Sequence, residues 1–132
     1  MAEKFEILLV DDDEVLLRVM REALEGEGGY VIDIARDGRD AVGKFKEKRH
    51  DLVVTDLRLP GIDGMELLKE IRGVDRDTVL IMITAYGTLN VAIEALEKGA
   101  YDFMEKPFKI DDFVALIRNT RDRLPRKRQQ GG

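Results

Sequence analysis

Cysteine is absent from this chain, which excludes disulfides and thiolate metal sites. Tryptophan is absent too, proline occurs three times, and histidine once, at His50. That lone histidine precedes an apolar strand in a charged loop and is read as having no catalytic or metal role. An excess of positive charge is also lacking: the net charge is −5. Nucleic-acid binding rests on cationic neutralisation of phosphates, so direct contact with DNA or RNA is not expected. Long apolar runs are missing as well. The longest, Val79-Leu80-Ile81-Met82-Ile83, is far short of the roughly 20 residues that span a bilayer, and no signal peptide precedes the first strand. A soluble cytoplasmic protein without a membrane segment is the expectation.

What is present suits one domain. Apolar residues make up 44% of the 132 residues and charged residues 37%, enough for a core and a solvated surface. Alternating periodicities give the order of elements. Strands are predicted over 5–10, 30–35, 52–55, 78–84 and 101–104. The helix predicted over 14–25 carries Leu16, Val19, Met20 and Ala23 on one face, with Asp13 as its cap. Gly26, Gly28 and Gly29 end it. Asp37-Gly38 opens a second helix with Ala41, Val42 and Phe45 inward, and a third over 64–72 groups Leu67, Leu68 and Ile71. In a helix over 88–98, Leu89, Ala92, Ile93 and Leu96 read as the core stripe, with Val91 and Ala95 as a small pair beyond it. Ile110, Phe113, Val114 and Ile117 mark the last helix, with Asp111 and Asp112 favouring its N-terminal dipole. Such alternation means a parallel α/β sheet covered on both faces. The domain is placed at 4–123, and 124–132, without apolar periodicity, reads as a linker or tail.

Parallel strands carry their C-terminal ends on one edge, where ligands bind at the switch in strand order. Asp11, Asp12 and Asp13 follow the first strand and Asp56 ends the third. Thr84 ends the fourth, and Lys106 follows the fifth. Two unit charges about 4 Å apart repel by roughly 4 kcal/mol at an effective dielectric near 20. A cluster of acids at one edge therefore needs a cation or a neutralised carboxylate. Carboxylate oxygens suit a six-coordinate magnesium ion, and a free carboxylate can attack phosphorus. A hydroxyl and an ammonium can then neutralise the arriving phosphoryl oxygens.

Four segments together resemble the receiver domain of two-component response regulators: Leu8-Leu9-Val10-Asp11-Asp12-Asp13, the stretch from Asp56 through Pro60 to Gly64, Ile83-Thr84-Ala85-Tyr86-Gly87, and the stretch from Gly99 through Lys106-Pro107 to Phe108. The resemblance implies a flavodoxin-like doubly wound sheet of order 2-1-3-4-5 with five helices. It implies that Asp56 accepts a phosphoryl group from a sensor histidine kinase. Asp12 and Asp56 would ligate Mg2+ directly, Asp11 through water, and Arg58 through its backbone carbonyl. Thr84 and Phe103 would form the switch, and Lys106 would bind the phosphate, with a cis bond to Pro107. Such a domain is a regulatory phosphoacceptor that catalyses only its own phosphoryl transfer and autodephosphorylation. It would act on an output domain or downstream protein, with homodimerisation through the fourth helix, fifth strand and fifth helix. The loop after Thr84 and the Gly99–Phe103 segment most resemble transcriptional activators with a central ATPase.

Simpler and rival readings exist for some of these residues. Asp13 serves as a helix cap, and Asp63-Gly64 makes a turn and starts a helix. Asp11-Asp12-Asp13 also contains the Asp-x-Asp of haloacid-dehalogenase-like phosphatases, in which Asp11 would be the nucleophile and Asp13 the acid/base. That reading lacks the Gly-Thr turn and leaves Asp56, Thr84 and Lys106 unexplained. A dinucleotide-binding domain lacks its Gly-x-Gly. A receiver-like module that takes no phosphate would usually have lost an acid or the lysine, and none is lost here.

Overall fold

A computed structural model describes residues 4–85 and 89–125. The expectations placed on Tyr86, Gly87 and Thr88, and on the tail after Pro125, lie outside the described residues. Along the chain come β1 (Phe5–Val10), α1 (Glu14–Glu27), β2 (Tyr30–Ala35), α2 (Gly38–Lys48) and β3 (Leu52–Asp56). They are followed by α3 (Gly64–Val74), β4 (Val79–Thr84), α4 (Leu89–Glu97), β5 (Asp102–Glu105) and α5 (Ile110–Arg123). The five strands form one sheet in the order β2-β1-β3-β4-β5, every pair parallel. The α/β doubly wound architecture and the strand order are those expected.

Three of the strand-to-helix turns use the same local chemistry. Asp13 accepts from the backbone N–H groups of Val15 and Leu16, Asp37 from that of Asp40, and Asp63 from that of Glu66. Each carboxylate satisfies a donor that the helix cannot satisfy itself and sits at the positive end of its dipole. At the opposite edge, Gly28 and Gly29 take φ of 81° and 87°, values that allow the chain to turn tightly from α1 into β2.

Alternation along the strands builds two cores. Leu8 and Val10 of β1, Val53 of β3, and Leu80 and Met82 of β4 face α2, α3 and α4, where they meet Phe45, Leu67, Leu68 and Ile71. Ile7, Leu9, Leu52, Val54, Ile81 and Ile83 face α1 and α5, where they meet Leu17, Met20, Leu24, Phe113 and Ile117. A strand buried on both faces carries apolar residues without alternation, as β4 does.

Two helices turn differently from the expected stripes. In α1 the inward residues are Leu17, Met20 and Leu24, with Leu16 and Ala23 at the flank, while Val19 is 44% exposed. In α4 the buried residues are Ala92 and Ala95, and Val91 packs against the core beside them. Leu89, Ile93 and Leu96, expected inside, are exposed, Leu89 by 49% and Ile93 by 46%. The reason is geometric. Asn90, Glu94 and Glu97 fill one narrow stripe of α4 and apolar residues cover the wide arc opposite, so periodicity does not select which part of that arc meets the sheet. The small residues meet it while the larger ones turn out. Smaller differences are confined to element ends: β3 includes Asp56, β5 runs from Asp102 to Glu105, and α3 continues to Val74.

Candidate functional site

The connection from β1 to β2 leaves to one side of the sheet, and the path from β3 to β4 and β5 leaves to the other. Between β1 and β3, at their C-terminal ends, the crevice opens as the strand order requires. Asp11 stands there directly after β1, its backbone N–H donating to the Ala35 carbonyl at 3.1 Å. Its side chain is 1% exposed, and its Oδ1 accepts from the Asp13 N–H at 2.9 Å. Asp56, across the crevice, ends β3 in register with Ile83. Asp12 is exposed at the rim. Asp11, Asp12 and Asp56 each offer a carboxylate oxygen, and these oxygens lie within 4.8 Å of one another.

Lys106 enters from the end of β5, where its backbone N–H donates to the Thr84 carbonyl at 2.7 Å. Its Nζ donates to Asp11 Oδ2 at 2.9 Å and to Asp56 Oδ2 at 3.0 Å. The Lys106–Pro107 bond is cis. Burial alone would pull the ammonium below its ordinary pKa, but the two charged hydrogen bonds outweigh it, and the net shift is upward. Burial pushes the Asp11 carboxyl up, against the opposing pull of the Asp13 N–H and of Lys106. A cation within this pocket thus already offsets part of the carboxylate repulsion. The donor set suits a further hard cation: the oxygens are anionic, three in number, and one of their residues opens to solvent. No thiolate or imidazole is among them.

Thr84 ends β4 fully buried, and its Oγ1 has no hydrogen-bond partner among the described residues. Phe103 pairs in register with Met82, so it shares the α4-side face of the sheet with Thr84, two residues further along β4. Its ring is partly buried against that core. Arg58 lies two residues beyond Asp56 with an exposed side chain, and its N–H approaches Asp56 Oδ1 at 3.3 Å. Asp11, Asp12, Asp56 and Lys106 are therefore together, with Thr84 and Phe103 at the adjoining end of β4 and β5. Asp13 points to its own helix and uses one oxygen for two backbone N–H groups, an arrangement of a cap and not of a free acid/base. His50, expected in a charged loop, is instead fully buried, with Nε2 2.7 Å from Asp33 Oδ2. Nothing in the local sequence signals that burial. The contact of Gly38 with the loop after Asp56 also escapes a reading of sequence alone, because it joins two elements.

The model of the response regulator receiver domain family matches residues 7–118. The chain is 38% identical over 114 residues to the chemotaxis protein CheY of Bacillus subtilis, covering 86% of this chain and 95% of that protein. It is 37% identical over 112 residues to the transcriptional regulatory protein TrcR of Mycobacterium tuberculosis, covering 85% of this chain. It spans only 43% of the length of TrcR. In structure it is similar to a CheY-like receiver domain protein from Methanospirillum hungatei, with a TM-score of 0.85 and 28% identity, covering 98% of this chain and 100% of that one. Fold, acidic crevice and sequence agree, and the chain belongs to the response regulator receiver domains of two-component systems.

Proposed function

We propose that this domain is a magnesium-dependent switch that accepts a phosphoryl group on Asp56 from a sensor histidine kinase and signals to an output domain. The observation that carries the reading is the bridge of Lys106 between Asp11 and Asp56, inside a cluster of three carboxylates. Asp12 and Asp56, with the backbone carbonyl of Arg58, would hold Mg2+ directly, and Asp11 would hold it through water. When bound, the ion supplies positive charge to the phosphoryl oxygens during transfer.

A carboxylate oxygen of Asp56 forms the new bond to phosphorus as the phosphorus–nitrogen bond of the kinase phosphohistidine breaks. Its electron pair returns to the imidazole, and the product on this chain is an acyl phosphate. The Lys106 ammonium, already 3.0 Å from Asp56 Oδ2, needs only to follow the developing charge. The Thr84 hydroxyl, buried without a partner among the described residues, gains an acceptor in the phosphoryl group. Its movement vacates space toward which Phe103 rotates, and the surface of α4, β5 and α5 changes with it. Charge at one residue thereby biases an element with two arrangements.

The domain is not a turnover enzyme on this reading, since its own side chain is the acceptor and it catalyses only the gain and loss of that group. Its output is transcriptional, a reading supported by the similarity to TrcR. Homodimerisation would use the α4, β5 and α5 face, and the place of action is the cytoplasm. Among the described residues no helix is long and apolar enough to cross a membrane. Acetyl phosphate with magnesium should add one phosphoryl mass to the chain in intact-mass spectrometry, and Asp56→Asn should abolish the addition. An unchanged parent mass, or equal labelling of the variant, would refute the assignment.

A further inference from the structure

The segment between β3 and α3, residues 57–63, carries Arg58 and determines where its carbonyl sits relative to Asp56. Its C-terminal end is firmly held. The Gly64 N–H donates across the loop to the Leu57 carbonyl at 2.8 Å, and Asp63 caps α3. A Cβ at Gly64 would lie 2.7 Å from the Asp56 carbonyl oxygen and 2.9 Å from Leu57 Cα, so the two ends of the loop touch backbone to backbone.

The third fixed point comes from a different element. Gly38 is the first residue of α2 and is buried. A Cβ there would lie 2.2 Å from the Ile62 carbonyl oxygen, 2.7 Å from Ile62 Cβ and 2.9 Å from its carbonyl carbon. Side chains do not approach backbone so closely, so any larger residue must displace Ile62 or α2. Gly38 is not among the glycines with positive φ, and alanine is a better helix former, so α2 itself does not call for glycine. Space is the only reason left. A push at Ile62 meets the capped start of α3 on one side, which directs it back toward residues 57–61 and hence toward Arg58.

We infer that Gly38 is a positioning residue for the phosphoacceptor loop: its missing side chain lets residues 57–63 close against α2 and so sets the Arg58 carbonyl beside Asp56. The inference rests on the reading of Asp56 and Arg58 given under the proposed function. Outer supports of metal ligands typically change affinity by about 10–100-fold, and a loss of roughly tenfold is expected here.

The test is Gly38→Ala, measured by magnesium titration calorimetry, acetyl-phosphate labelling rate and amide shifts without metal. Weaker magnesium binding, slower labelling, and metal-free shift changes centred on residues 57–63 support the inference. Gly43→Ala in the same helix, where a Cβ meets nothing within 4 Å, should behave as the parent. An unperturbed loop and parental affinity in Gly38→Ala would overturn the inference. So would an equal loss of affinity in Ile71→Val, a core change in α3, at a matched fall in melting temperature. If Gly38→Ala fails to fold, Ile62→Gly loosens the same contact from the other side. Weaker magnesium binding by that variant at near-parental melting temperature supports the inference, and parental binding overturns it. If the parent itself takes up neither magnesium nor phosphate, the functional reading falls, while the metal-free shifts still decide whether Gly38 places the loop.

Discussion

Lys106 reaches from the end of β5 to one carboxylate just after β1 and another at the end of β3, and so ties three strand ends together. A surface ion pair is worth little, but Asp11 is buried, and a buried acceptor left without its donor costs about 1–3 kcal/mol. His50 shows the same logic far from the site. Its Nε2 bonds Asp33, its ring stacks on Phe45 at 6.2 Å, and its Nδ1 has no partner among the described residues. Lys48 also bonds Asp33 and pairs with Glu6. Burial lowers the His50 pKa, and the pull of Asp33 offsets it only in part. An unfolded histidine titrates near about 6.5. As pH falls through that value the unfolded chain takes up a proton that the native His50 resists, so stability falls with pH in that window. Asp33, held low by His50 and Lys48 despite the upward push of its burial, adds a second loss at more acidic pH. The melting temperature should therefore drop between pH 7.5 and 5.5, and His50→Gln, which keeps a donor but does not titrate, should flatten that slope. Parallel curves for the two proteins would show that His50 does not carry the effect.

At the scale of elements, α4 is the instructive case. A sequence stripe of Leu89, Ala92, Ile93 and Leu96 has helical spacing, yet the helix rests on β4 and β5 through Val91, Ala92 and Ala95. Close approach to a sheet favours small side chains beneath the helix, and the periodicity of a helix with one narrow polar stripe, Asn90, Glu94 and Glu97, does not reveal which part of its wide apolar arc approaches. The two assignments differ in their consequences. Ala95→Leu should overpack the interface and cost about 1–3 kcal/mol, whereas Ile93→Lys should stay within about 0.5 kcal/mol of the parent. Urea unfolding of both variants distinguishes them, and the reverse order would restore the first stripe. In α1 the shift is smaller: the helix turns so that Leu17 and Leu24 replace Val19 inside. By contrast α2, α3 and α5 bury most of the residues read from spacing, namely Ala41 and Phe45, Leu67, Leu68 and Ile71, and Phe113, Val114 and Ile117, while Val42 and Ile110 are only partly buried.

The whole molecule gathers its acids at the strand ends, at the switch between β1 and β3, where Lys106 offsets only part of their repulsion. The folded state alone assembles Asp11, Asp12 and Asp56, so an ion held there stabilises folding by mass action. At a hundredfold excess over its dissociation constant, magnesium should add about 2.7 kcal/mol. Asp12 is the exposed member of the cluster, without the Lys106 bridge that Asp11 and Asp56 share. Asp12→Ala should accordingly raise the metal-free melting temperature while reducing the gain from magnesium. A fall in the metal-free melting temperature of Asp12→Ala would mean that local hydrogen bonding, and not repulsion, dominates at that position.

The sequence by itself determined the alternation of strands and helices, because periods of about 2 and 3.6 are local properties. It also determined that Asp11, Asp12, Asp56 and Lys106 share one edge, since parallel strands that end in these residues must bring their ends to the same side. Tertiary structure decided what depends on distances between elements. Lys106 bonds Asp11 and Asp56 at once, the small side of α4 faces the sheet, and His50 closes over Asp33. Gly38 leaves room for Ile62. Each of these is a contact between residues far apart in the chain, and no local spacing encodes how closely two elements approach.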